Sequence, residues 1–170
     1  MVLKYKNSYR LEEKGRFFHV QIKEESHCPT CQELLKVRAV RERVWWQGED
    51  EADRFVLIIR RLYCEKCEQI HHELPDCVVP YKRYGADVVE NIATTSSATV
   101  SCPPDTIRRI RAWWEAVKPY FMSILLTLTA KYGVSFGKPP AFRETVRAVA
   151  NSNHWIFAWQ LCTCSASRRE

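Results

Sequence analysis

The chain has 170 residues, 46% of them apolar and 27% charged, with eight cysteines and a formal net charge of +6. An aromatic content of 12% excludes a disordered chain, which cannot bury enough apolar surface to fold. No apolar run reaches the roughly 18–20 residues that span a bilayer. The polar N-terminus lacks the apolar centre of a signal peptide, so a cytoplasmic location is expected.

Residues 1–16 are polar and read as a loosely ordered tail. Residues 17–22 alternate enough for a short strand leading into the first cysteines. Residues 34–46 and 55–63 are rich in Val, Ile, Leu and aromatics and read as strands. The acidic segment 47–53 between them is a turn, so an antiparallel hairpin is expected. Residues 55–59 are apolar on both faces. A free-standing ribbon would show one polar face, so something must cover the second side, and a helical half is the natural candidate.

Residues 84–94 suit a short helix, with Val88, Val89 and Ile92 near helical spacing. Residues 95–102 form a polar connector. Pro103, Pro104 and Asp105 open a helix, the carboxylate complementing the free amides of the first turn. Ile107, Ile110, Trp114 and Val117 make one apolar stripe. Pro119 is expected to break or kink this helix, or to open the next at its first position. Phe121, Ile124, Leu125, Leu128 and Tyr132 continue an apolar helix. Residues 133–140 form a loop. A last helix covers 142–160, with Val146, Val149, Ile156 and Trp159 inward, and 161–170 form a second loose tail.

Cys28-Pro29-Thr30-Cys31 and Cys64-Glu65-Lys66-Cys67 are two C-x-x-C knuckles. A reducing cytosol keeps thiols free, so clustered cysteines point to metal or redox chemistry. A redox pair stands alone at a helix start, and neither pair here does. Zinc takes four thiolates in a tetrahedron, and the hairpin between the knuckles would bring them together. Cys28, Cys31, Cys64 and Cys67 are therefore the expected zinc ligands. His27, His71 and His72 lie near enough in sequence to replace a cysteine or to hydrogen-bond a sulfur. Cys77 and Cys102 read as small core residues. Cys162 and Cys164 read as incidental.

The charge is unevenly placed. Residues 1–80 hold 14 basic and 14 acidic residues, whereas residues 81–170 hold 12 basic and 6 acidic ones. A basic half suits a polyanion, because cations displace counterions condensed on phosphates. No Gly-rich phosphate loop, nucleophile elbow or H-E-x-x-H pair is present, so no catalysis and no small-molecule substrate are expected.

The knuckles belong to a longer pattern. A C-P-x-C knuckle, a hairpin ending in Arg60-Arg61-Leu62-Tyr63-Cys64, a second knuckle, Leu74-Pro75 and Pro80-Tyr81-Lys82-Arg83-Tyr84 follow in order. This pattern resembles a bacterial family known as a numbered domain of unknown function, DUF6431. It is also similar to the N-terminal zinc ribbon of insertion-sequence transposases, where a ribbon precedes a helix-turn-helix and a catalytic domain. The likeness covers about residues 25–115. Gln32 stands where the family's first knuckle usually has glycine. The transposase catalytic domain, with its three carboxylates, has no counterpart, since after Glu115 only Glu144 and Glu170 remain.

The resemblance implies an α+β fold: a zinc-ribbon hairpin over 17–80, a helix-turn-helix over 81–118 and helices over 119–160. It implies duplex DNA as partner, and a transposon or phage setting with a mobile-element protein as a second partner. Arg108, Arg109 and Arg111 would face DNA from the second helix while Ile107, Ile110 and Trp114 face the core. Lys82 and Arg83 would anchor the DNA backbone. The alternative is a zinc-stabilised protein-interaction module without nucleic acid, using some of the six tryptophans as anchors.

Overall fold

The computed structural model of the chain describes residues 2–5, 9–96 and 100–155. Among these, the elements are β1 (Val2–Tyr5), β2 (Tyr9–Lys14), β3 (Phe17–Ile22), β4 (Lys36–Trp46), β5 (Arg54–Cys64), β6 (Gln69–Pro75), α1 (Ala86–Thr94), α2 (Pro104–Tyr132) and α3 (Phe142–Asn151).

Strand β5 organises the sheet. It pairs antiparallel with β4 from Arg54 against Trp46 to Tyr63 against Lys36. Along its other edge two strands follow one another: β3 pairs in parallel with residues 56–58, and β6 antiparallel with residues 61–64. From there β2 extends outward from β3, and β1 lies parallel to β6. The result is a curled mixed sheet in the order β1-β6-β5-β3-β2, with β4 on the opposite edge of β5. Successive side chains of a strand face opposite sides. Leu57 and Ile59 are accordingly buried with Val2, Val20, Trp45 and Leu74 against Val78 and Ala150. Leu62 and Cys64 face a second cluster with Leu3, Cys28 and Leu35.

This sheet overturns the expected zinc ribbon packed on a helix-turn-helix. The hairpin of β4 and β5 is present, but it is one part of six strands rather than a free-standing ribbon. Of residues 55–59, Leu57 and Ile59 are buried on the face that Ala150 of α3 covers, and Val56 and Ile58 on the other face are half-buried. The strands that sequence reading missed lie mostly in the supposedly loose residues 1–16, which contribute β1 and β2. Lys4 disguises β1, because a lysine in a buried four-residue strand reads as surface. Lys4 is only 4% exposed. Its ammonium donates to the Val78 carbonyl and stands 3.6 Å from Asp76 Oδ1. Its backbone is fastened to α3, with N–H donating to Asn151 Oδ1 at 2.7 Å and the carbonyl accepting from Asn151 Nδ2 at 3.0 Å.

The helical half departs from a helix-turn-helix at two places. Residues 95–103 are too long a connection for the motif's tight turn of roughly 3–4 residues. Beyond it, α2 is a single helix of 29 residues, about 44 Å long, that passes through Pro119 without ending. Proline leaves the carbonyl of Glu115 without its helical donor. Both residues are exposed, so water can take the donor's place. Ile110, Trp113, Trp114, Val117 and Phe121 bury one continuous face of α2 against Val89 and Ile92 of α1 and Phe142, Val146 and Val149 of α3. That burial outweighs the local preference for a break. The expected helix 142–160 is α3, which ends at Asn151. Ile156, Trp159, Cys162 and Cys164 lie outside the described residues. No helix among the described residues is long and apolar enough to cross a membrane.

Burial lowers the Lys4 ammonium from 10.5 to about 8. Between those values the unfolded chain binds a proton that the folded chain has released, so stability rises with pH. Urea denaturation at pH 8 and at pH 10.5 is expected to differ by about 3 kcal/mol from this group. The Lys4→Met variant loses that increment relative to the parent.

Candidate metal centre and basic clefts

The first knuckle is a loop folded on its own backbone. Cys28 N–H donates to the Glu33 carbonyl and Gln32 N–H to the Cys28 carbonyl, both at 2.8 Å. Leu35 N–H closes the loop onto the Ser26 carbonyl at 2.8 Å. The second knuckle is the turn between β5 and β6, where Cys64 pairs with Gln69 and Cys67 N–H donates to Cys64 Sγ at 3.4 Å. Because β4 starts just after the first knuckle and β5 ends at the second, the hairpin carries both to one end of the sheet.

There the four Sγ atoms of Cys28, Cys31, Cys64 and Cys67 lie within 4.8 Å of one another. Cys31 and Cys64 stand 3.5 Å apart, Cys28 and Cys67 3.9 Å. Four sulfurs about 2.3 Å from a common centre would form a tetrahedron with edges of about 3.8 Å. The four cysteines therefore lie close enough to bind one metal ion. Electrostatics favours the same conclusion. The Cys67 thiol is pushed up to about 12, first by the adjacent Cys31 sulfur and then by burial. Burial also raises Cys64. Burial raises Cys28 too, but the amides of Cys31 and Thr30 outweigh it and hold that thiol near about 7. Four thiolates this close repel one another, and a divalent cation removes the penalty.

The histidines separate. His71 is fully buried with Nε2 3.7 Å from Cys28 Sγ, touching the cluster from outside. His27 is exposed, and His72 faces the other side of the sheet. A polar chain that sequence reading missed braces the site. Arg60 Nε donates to Glu73 Oε2 at 2.5 Å, Ser26 Oγ to Glu73 Oε1 at 2.5 Å, and Tyr5 Oη to Ser26 Oγ at 2.7 Å. It ties β1, the first knuckle, β5 and β6 together, and its members are scattered too widely in sequence to form a motif. Cys102 is buried and Cys77 half-buried, as small core residues should be.

The cations expected to touch DNA have separate placements. Arg111 turns inward and caps the end of α1, donating to the carbonyls of Ile92, Thr95 and Ser96. Lys82 lies half-buried with Nζ 4.1 Å from the centre of the Trp113 ring, and burial lowers it to about 8. Arg83 is exposed. So are Arg108, paired with Asp105, and Arg109, which donates to Thr106 Oγ1 at 3.3 Å. Lys82, Arg83 and Arg109 share a cleft of about 630 Å³ with Trp46 and Tyr84. A second cleft, of about 600 Å³, shares Trp46, Tyr81, Lys82 and Arg83 with the first and continues along β4 past Arg41 and Arg54.

Residues 28–113 match the family described as a domain of unknown function, DUF6431. The chain belongs to the DUF6431 family. No curated protein and no solved structure matches it. In this DUF6431 protein the matched segment starts at the first metal-site cysteine and ends at Trp113, which carries Lys82. It spans both knuckles, β4 to β6, α1 and the start of α2.

Gln32 and Glu68, each following the second cysteine of its knuckle, have φ of 61° and 54°. This left-handed region favours glycine. Gln32 therefore holds this turn at a conformational cost that a glycine would not carry. Gln32→Gly is expected to raise stability by about 0.5 kcal/mol, the relief of strain exceeding the extra freedom of the unfolded chain. Urea midpoints of the two proteins check this, and an unchanged or lower midpoint for the variant contradicts it.

Proposed function

We propose that this DUF6431 protein is a non-catalytic, zinc-stabilised protein that binds duplex DNA through its exposed cations. Zinc is the metal we assign, since a closed set of four thiolates suits that ion and leaves no open position for a reacting water. The observation that carries the DNA reading is the meeting of Arg83, Lys82 and Arg109 at one cleft, next to exposed Arg108. Such a surface would clamp phosphates rather than read bases from a recognition helix. Tryptophan-anchored protein docking has less support, because Trp45, Trp113 and Trp114 are buried.

Elemental analysis of purified protein is expected to find one zinc per chain. Cys64→Ser should lose it and unfold, since a structural site of this kind contributes roughly 10–16 kcal/mol. A metal-free protein that is fully folded would sink the assignment.

Fluorescence anisotropy with duplex DNA across a salt series tests the second half of the reading. Affinity should fall steeply with salt, and the Arg83→Ala/Arg109→Ala pair should flatten the log–log slope by about 2. Binding that ignores salt, or a slope unmoved by the double substitution, would refute it.

A further inference from the structure

The cleft along β4 has a charge balance that the DNA contact does not explain. Its lining holds the cations Arg41, Arg43, Arg54, Lys82 and Arg83 and a single carboxylate, Glu42. Such a concentration of like charge is unfavourable unless something offsets it. The strain is visible at Arg43, whose guanidinium is lowered to about 10, first by burial and then by Arg41. His72, on the same wall, is pushed down to about 4 by burial and then by Arg41, so it is neutral at pH 7.

These cations divide into two sorts. Arg43 is fixed: its Nη2 donates to the carbonyls of Val79 and Lys82 at 2.6 Å, which pins β4 to the segment before α1. Lys82 is held on Trp113. Both supply charge to the cleft from its walls. Arg41 and Arg83 are exposed, and neither side chain has a hydrogen-bond or ion-pair partner among the described residues. Arg54 has only a long ion pair with exposed Glu51, at 3.4 Å. Two unengaged guanidinium groups and a weakly engaged third thus border a concave, cationic space. A guanidinium fork matches the geometry of a phosphate, and fixed charge behind it adds attraction without ordering cost.

We propose that this cleft is a phosphate-binding site, in which Arg54 and Arg83, both beside Trp46 at one end of β4, contact the phosphate group and Arg41, Arg43 and Lys82 hold the potential behind it. The phosphate comes from the end of a nucleic-acid strand or from a small phosphate ester. The site does not depend on duplex binding.

The test uses the full chain and inorganic phosphate, titrated by calorimetry at ionic strength held constant with chloride. Saturable binding is expected. Arg54→Ala should weaken it about tenfold, as expected for loss of a charge-assisted hydrogen bond, and Arg41→Ala, which removes background charge at an exposed position, should weaken it less. Glu42→Gln should tighten it. Lys14→Ala, which removes an equal charge on β2 at the opposite side of the sheet, should leave it unchanged. A response to phosphate no larger than that to chloride, or an Arg54→Ala protein that binds as the parent does, overturns the proposal. A second arm compares a short 5′-phosphorylated strand with its dephosphorylated twin. Preference for the phosphorylated strand assigns the site to a strand end, and equal affinity assigns it to a small phosphate ester, with the site standing in both cases. Phosphate binding in a protein that ignores duplex DNA would keep this site and remove the function proposed above.

Discussion

Four sulfur atoms within 4.8 Å of one another impose the constraint from which most of the architecture follows. The β4–β5 hairpin brings the two knuckles together, and without a cation such a cluster holds at most a fraction of its thiols ionised. With a divalent ion bound, the start of β4, the end of β5 and the turn into β6 are fixed to a single point. Structural zinc contributes roughly 10–16 kcal/mol where it has been measured, against total stabilities of about 5–15 kcal/mol for ordinary domains. Were zinc bound, a site of that size would offset the cost of the two left-handed residues Gln32 and Glu68 at its turns.

Around this point the chain buries polar groups that only pairing makes tolerable. Glu73 is fully buried and is satisfied by Arg60 and Ser26. Lys4 is buried against Asp76, which Arg147 of α3 also engages at 3.0 Å. Removing one member of such a pair leaves an uncompensated charge, so these contacts specify which strand lies beside which more than they add stability. They explain why β1 occupies one position in the sheet: Tyr5 meets Ser26, Lys4 meets Asp76, and Asn151 holds the backbone between them.

The basic residues of the chain serve two ends. Arg43, Arg111 and Lys82 are absorbed into the fold, where they cap carbonyls or lie on an aromatic ring. Arg41, Arg83, Arg108 and Arg109 stay at the surface beside the clefts. The excess of positive charge in the second half therefore overstates what a polyanion could touch there. Part of the cationic surface comes instead from β4, in the half whose charges balance overall.

Local chemistry made the four-cysteine cluster and the hairpin legible. A C-x-x-C turn places two sulfurs together whatever surrounds it, and alternating branched and aromatic residues make strands of 36–46 and 54–64. The start of α2 was legible too, because Pro104 and Asp105 act within its first turn. Other features depended on contacts between residues far apart in sequence. Val2–Tyr5 becomes a strand because Asp76, Val78 and Asn151 receive Lys4. Pro119 stays inside a helix because a continuous face from Ile110 to Leu125 is buried across it. Arg111 caps the end of α1 because that end packs beside it. Spacing along the chain determines which groups can share a turn; only the folded sheet and helices decided which charges were used up inside and which remained for a ligand.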